Sequence, residues 1–232
     1  MSSTLYLVPN LLGVVPPDAV LPARTIDIAR GLAHWVVETP KAARAFLKML
    51  QAQRPIGELD IAALANDDAL QRALATLRDD DVGLLSDAGC PGVADPGAAL
   101  VAAAHENDVR VVPLVGPSAI LLALMASGMN GQHFCFHGYL PVKPNARIES
   151  LRALEQQSRT QRRTELFIET PYRNAALLRA MAQTLAPRTR VCVAADLTLD
   201  TQAIECRTAA RWRADDGHRF DRRPAIFLIS AS

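Results

Sequence analysis

The 232-residue sequence lacks the signatures of several common chemistries. No G-x-G-x-x-G follows the first apolar run; Pro9-Asn10-Leu11-Leu12-Gly13 stands there, so the dinucleotide fingerprint is absent. No Walker A, H-E-x-x-H or G-x-S-x-G motif occurs. The four cysteines (Cys90, Cys135, Cys192, Cys206) are widely spaced without a C-x-x-C pair, so neither a disulfide nor a zinc site is expected. The five histidines are scattered without ligand spacing, and no metal is expected. His137 near Tyr139 is expected to be a packed histidine. The opening Met1 to Leu7 has no basic region and no long apolar stretch of the secretory type. The most apolar segment, Ile120 to Met125, is far too short to span a bilayer. A cytoplasmic enzyme without a membrane partner is the expectation. A basic excess is also missing: 25 Lys and Arg face 24 acids, a net charge of +1, which argues against a generic nucleic-acid binder but leaves a local basic patch open. The clusters Arg159, Arg162, Arg163 and Arg219 to Arg223 are expected to be solvated loops rather than phosphate contacts.

What is present is globular. Hydrophobic residues make up 50% and charged residues 21%, enough for a core of one large or two small α/β domains. Short apolar runs alternate with helical periodicity. Leu5 to Val8 reads as a first strand ended by Pro9-Asn10; Val82 to Leu85, Val109 to Leu114, Glu165 to Ile168, Val191 to Ala195, Ala203 to Trp212 and Ala225 to Ile229 read as further strands. Helices are expected over Ala42 to Leu50, Asp67 to Arg78, Ala98 to Glu106, Pro117 to Ser127, Asn145 to Gln157 and Arg173 to Leu185. The alternation predicts parallel sheets with helical crossovers, and a seam near Val115 to Pro117 predicts domains over 1–115 and 116–232.

In open α/β sheets ligands bind outside the carboxyl ends of strands, so the segments after strands matter most. Ser86-Asp87-Ala88-Gly89-Cys90-Pro91-Gly92-Val93-Ala94-Asp95-Pro96-Gly97 follows a strand and holds small residues that let backbone approach a ligand. Asp87 to Cys90 is the expected ligand contact, and Asp95 is expected to cap the next helix. Val115-Gly116-Pro117-Ser118-Ala119 links a strand to a helix start, where Ser118 either caps the helix or meets a ligand. In Phe167 to Arg173, Glu169 and Arg173 are spaced for an internal ion pair.

Taken in order, Leu5-Tyr6-Leu7-Val8-Pro9, the S-D-A-G-C-P-x-x-x-D-P-G block, V-x-G-P-S-A, F-x-F-x-G-Y-L-P and E-T-P-Y-R resemble the ribosomal RNA small-subunit methyltransferase I family of the tetrapyrrole methylase superfamily. The likeness runs from Leu5 to about Ile229. It implies two α/β domains of tetrapyrrole-methylase type with S-adenosylmethionine in the cleft between them, and a homodimer. It assigns cofactor contacts to Pro9, Asp87, Ala88, Gly89, Cys90 and Val93, to Ser118 and Ala119, and to Glu169, Ala195, Asp196, Leu197, Pro224 and Ala225. The sequence departs from the family where Asn10 to Val15 replaces T-P-I-G-N-L and Glu38-Thr39-Pro40-Lys41 replaces E-D-T-R, and it lacks the family's histidine-containing segment.

Methyl transfer from a sulfonium is catalysed mainly by alignment and exclusion of water. A ribose 2′-hydroxyl acceptor gains from a base or a neighbouring cation; Glu38, Lys41 and Asp87 are the candidates. Three functions remain open from sequence: a methyltransferase of ribosomal RNA, free or within a small ribosomal subunit; a methyltransferase of a tetrapyrrole or other small molecule; and a non-catalytic cofactor-binding sensor or interaction protein.

Overall fold

A computed structural model describes residues 3–231. The chain forms two compact units, one ending at Ser118 and the other beginning at Ala119.

The first unit is a parallel sheet with helices on both faces. Its elements are β1 (Thr4–Val8), α1 (Ala23–Gly31), β2 (His34–Val37), α2 (Pro40–Met49), β3 (Asp60–Ala63), α3 (Asp67–Thr76), β4 (Val82–Leu85), α4 (Ala98–Glu106) and β5 (Arg110–Pro113). The strand order is β3-β2-β4-β1-β5. One face buries Val8, Trp35, Val37 and Leu85 against Ala29 of α1 and Ala43, Phe46 and Leu47 of α2. The other buries Leu5, Val36, Val82 and Leu84 against Ala73 of α3 and Leu100 and Ala104 of α4. These strands are apolar on both faces because helices cover both, which is why they read as unbroken apolar runs. Local chemistry sets the helix starts. Pro40 occupies the first turn of α2, and the Asn66 side chain accepts a hydrogen bond from the Ala69 amide, 3.0 Å, at the start of α3. The chain runs one way from β1 through β3, then returns through β4 to β5. The reversal leaves adjacent β2 and β4 with connections leading to opposite sides, the place where such sheets open a crevice at their carboxyl edge.

The second unit contains α5 (Ala119–Ser127), β6 (Phe134–Tyr139), α6 (Pro144–Gln161), β7 (Thr164–Ile168), α7 (Asn174–Thr184), β8 (Arg190–Ala195), β9 (Ala203–Thr208), α8 (Ala209–Trp212) and β10 (Ala225–Ser230). The strand order is β6-β7-β10-β8-β9. Phe167, Val191, Val193 and Phe227 bury one face against Leu151 and Leu154 of α6 and Leu177, Leu178 and Met181 of α7. Helix α5 contacts β8, β9 and β10.

The expectation of parallel sheets throughout is corrected here. Only β6 and β7, joined by the crossover helix α6, run parallel; β10 pairs antiparallel with β7 and β8, and β8 with β9. The short link from β8 to β9 permits only a return, as in a hairpin. The strand expected over Ala203 to Trp212 stops at Thr208, whose hydroxyl accepts from the Arg211 amide and opens α8. Antiparallel pairing also overturns the cysteine reading. Register places Cys192 directly opposite Cys206, and the two are joined as a disulfide. The two lie fourteen positions apart in sequence, a spacing that gave no sign of that. The basic stretch near the end is not a solvated loop either. Arg219 pairs with Glu205 and Asp215, and Arg223 with Asp196. The Arg207 and Arg219 guanidiniums lie over the ring of buried Trp212. Among the described residues no helix is long and apolar enough to cross a membrane.

Candidate active site

In the first unit the loops after β1, β2 and β4 meet at the carboxyl edge of the sheet. Asn10 and Gly89 form an isolated bridge: the Asn10 amide donates to the Gly89 carbonyl at 2.8 Å, and the Gly89 amide to the Asn10 carbonyl at 3.2 Å. The buried Asn10 side chain donates to the carbonyls of Ser86, 2.9 Å, and Asp87, 3.1 Å. Its own Oδ1 accepts from the Leu11 amide at 2.8 Å. One side chain therefore ties the loop after β1 to the loop after β4. Sequence reading assigned nothing to it; an amide-bearing side chain after a strand-ending proline was the only signal. Gly89 sits at φ +71°, a left-handed backbone that side chains other than asparagine rarely adopt. Ala94 holds φ +63° in the same loop, a costlier placement of the kind that gathers at functional sites.

The loop after β2 joins them. The Asp87 amide donates to Glu38 Oε2 at 3.0 Å, and the Thr39 hydroxyl donates to Asp87 Oδ2 at 2.6 Å. Glu38 and Asp87 thus meet over the β2–β4 reversal. Asp95 is the third carboxylate. The capping role expected of it is corrected, since α4 begins after Gly97 without a side-chain cap bond. Burial first, then the charges of Glu38 and Asp87, push the Asp95 carboxyl up to about 6. None of the three acids makes an ion pair among the described residues. The Cys90 thiol is raised as well, by burial and then by Asp95. Lys41, on the first turn of α2, is exposed and lies in no ion pair among the described residues. Pro9 is buried, Asp87 and Ala88 are exposed, and Val93 is half exposed. A side chain at Gly116 would meet the Pro9 ring at 2.3 Å, so the loop holding Ser118 packs directly on the loop after β1.

An acid whose folded pKa lies above its ordinary value of about 4 stabilises the fold fully when protonated and loses that contribution as pH rises through the folded value. Asp95→Asn is therefore expected to raise the melting temperature relative to the parent at pH 7 to 8, with the difference vanishing near pH 4. Thermal melts across that range check it; an equal offset at every pH would sever Asp95 from the other two acids.

In the second unit the antiparallel register gathers the expected residues at the ends of β7 and β8. Ala225 opens β10 opposite Ala195, and Ile226 lies opposite Ile168. The Asp196 amide donates to the Pro224 carbonyl at 2.9 Å. Its Oδ2 accepts from Arg223 Nε at 2.7 Å and from the Thr201 hydroxyl at 2.8 Å. Asp196 and Thr198 both hold positive φ, 49° and 74°. Leu197 is buried between them. Glu169 makes the expected pair: its Oε1 accepts from Arg173 Nε, 3.0 Å, Arg173 Nη2, 2.6 Å, and the Thr170 amide, 2.7 Å. Its Oε2 is buried with no partner among the described residues.

Cys135, His137 and Glu165 bring ligand-type atoms within 4.8 Å of one another. Both Glu165 oxygens are already engaged, one by Arg163 Nε and one by His137 Nε2, each at 2.7 Å. A metal there would have to displace the histidine from the carboxylate, so the trio reads as a closed charge network under α6.

The profile of the tetrapyrrole (corrin/porphyrin) methylases matches residues 23–211. Ribosomal RNA small subunit methyltransferase I of Xylella fastidiosa is 31% identical over 228 residues, covering 97% of this chain and 80% of that protein. The protein of the same name from Micromonospora olivasterospora is 39% identical over 204 residues, 87% of this chain, which spans 61% of that relative's length. Among solved structures, the methyltransferase CobJ superposes with a TM-score of 0.61 at 18% identity, covering 99% of this chain and 94% of that one. The cobalt precorrin-4 methyltransferase CbiF gives 0.61 at 11% identity, over 98% and 94%. At those identities the superpositions carry the fold, and the profile with the first relative carries the kinship: the chain belongs to the tetrapyrrole methylase family and is a methyltransferase.

Proposed function

We propose that the chain binds S-adenosylmethionine at the first unit's carboxyl edge and methylates ribose hydroxyls of ribosomal RNA. The observation that carries the cofactor is the group of three carboxylates, Glu38, Asp87 and Asp95, gathered without a cation at the sheet's reversal point. Burial and then the repulsion of Glu38 and Asp87 lift Asp95, and a ligand bearing an ammonium and a sulfonium relieves that repulsion. The glycine turn at Gly89 leaves room for such a ligand against backbone. In the second unit, Glu169 Oε2 is a buried acceptor awaiting a donor of the amine or hydroxyl type.

The cofactor supplies a methyl group activated by positively charged sulfur. The protein's part is to align the acceptor oxygen and to take its proton. An acid lifted to about 6 suits a base working near neutrality, which favours Asp95 for the proton. Glu38 and Asp87 are already held by the Asp87 amide and the Thr39 hydroxyl, and position the loop. The exposed Lys41 ammonium is placed to approach an alkoxide or a phosphate. The RNA acceptor comes from the names of the relatives, the small-molecule acceptor from the near-neutral charge and the acidic edge.

The test is transfer of a labelled methyl group to purified small ribosomal subunits, to free ribosomal RNA and to tetrapyrroles. Label in alkali-resistant dinucleotides supports ribose methylation. Label in a tetrapyrrole with none in RNA transfers the assignment to the small-molecule acceptor.

A further inference from the structure

Helix α6 carries a cation, Arg147, that has no ion pair among the described residues. Arg147 is 9% exposed, and its Nε is buried with no partner. The unit's four other partly buried arginines each sit on a carboxylate: Arg163 on Glu165, Arg173 on Glu169, Arg207 on Asp215 and Arg223 on Asp196. Arg147 sits on none among the described residues. A buried guanidinium nitrogen without a partner is costly, and such an unsatisfied group calls for an explanation, an unseen ion or ligand among them.

The helix end that bears it has the same sign. The first intrahelical bond of α6 runs from the Arg147 amide to the Lys143 carbonyl, 3.0 Å. Pro144 has no N–H, so the amides of Asn145 and Ala146 are left without helical partners. No side chain caps this end, and no acid lies in the first turn. Helical side chains lean toward the amino terminus, which carries Arg147 back over that turn. Lys143, one turn earlier, is exposed. Two free amides, the positive end of an 18-residue helix, an ammonium and a guanidinium thus fall within about one turn of chain, and no acid lies in that first turn. The buried stem of Arg147 fixes its planar fork, which suits bidentate binding of a phosphate oxygen pair.

We propose that Arg147, Lys143 and the first turn of α6 form a phosphate site that takes one phosphodiester of the acceptor RNA. The RNA part rests on the function proposed above; the anion site does not.

The test uses the full-length chain and the Arg147 Nε–H resonance, assigned by its loss in Arg147→Lys. Inorganic phosphate and a short ribosomal RNA fragment are titrated separately, and S-adenosylmethionine affinity is measured alongside. Both phosphate and RNA are expected to shift the resonance. Arg147→Gln is expected to weaken RNA binding about tenfold and to reduce its salt slope by about 0.7 to 0.9, one phosphate's worth, with cofactor affinity unchanged. A shift with phosphate alone, RNA failing to bind, keeps the anion site and removes its RNA ligand. An unmoved resonance in both titrations overturns the proposal. So does an Arg147→Gln protein that binds RNA with the parent affinity and slope, or one that loses cofactor and RNA together.

Discussion

Asn10→Ala is expected to destabilise the protein by about 2–4 kcal/mol and to weaken S-adenosylmethionine binding at least tenfold. The Asn10 side chain is buried and makes three hydrogen bonds, to the Ser86 and Asp87 carbonyls and from the Leu11 amide. Truncation leaves those groups unpaired in a closed space, at about 1–3 kcal/mol for each group that water fails to reach. The loss falls on the loop that bears Asp87, so stability and affinity move together. Urea unfolding should show a lower midpoint with an unchanged slope. Asn10→Asp serves as a second probe. It keeps the acceptor for Leu11 but removes both donors and adds a fourth carboxylate, so its affinity defect should be present even where its fold survives. A stable Asn10→Ala protein with parent affinity would mean that the loops are positioned by something else.

Gly116→Ala is the second large effect. A methyl at this position would sit 2.3 Å from Pro9 Cγ, 2.6 Å from Pro9 Cβ and 3.0 Å from Leu21 Cδ2. A proline ring has no rotamer to retreat into, so the two loops must separate. Overpacking of this kind costs about 1–3 kcal/mol. Separation also breaks the approach of the Cys90 thiol to the Pro117 carbonyl, 3.5 Å. Cofactor affinity is expected to fall more than tenfold. Gly57→Ala is the control. Nothing lies within 4 Å of its new methyl, so melting temperature and affinity should stay near the parent's.

The first unit was largely legible in the sequence because its parallel sheet is covered on both faces. Apolar runs such as Val82 to Leu85 stand out between helices, and the Ala98 to Glu106 helix has the bounds expected of it. Strand β3 was missed because Asp60-Ile61-Ala62-Ala63 is a short edge strand with a charged start. Helix α1 was missed because only Thr25 and Ala29 of its nine residues are buried, leaving little apolar periodicity. The second unit was harder. Strand direction depends on how connections close in space, so neither the antiparallel pairs nor the Cys192–Cys206 disulfide could be read from spacing. The same holds at the site. Asp87 and Gly89 announced themselves by position and composition. Asn10 and Asp95 did not, because their significance lies in partners 76 or more residues away for Asn10 and, for Asp95, in burial together with the charges of Glu38 on another loop and Asp87 on its own.

In the function proposed above, the loops after β1, β2 and β4 form a site for a cationic methyl donor. Calorimetric titration of the purified protein with S-adenosylmethionine and S-adenosylhomocysteine tests it most directly, repeated with Asp87→Ala after a melting curve shows that variant folded. Saturable binding of both ligands by the parent, abolished in folded Asp87→Ala, is the predicted result. Failure of the parent to bind either ligand, or undiminished affinity in Asp87→Ala, would contradict it.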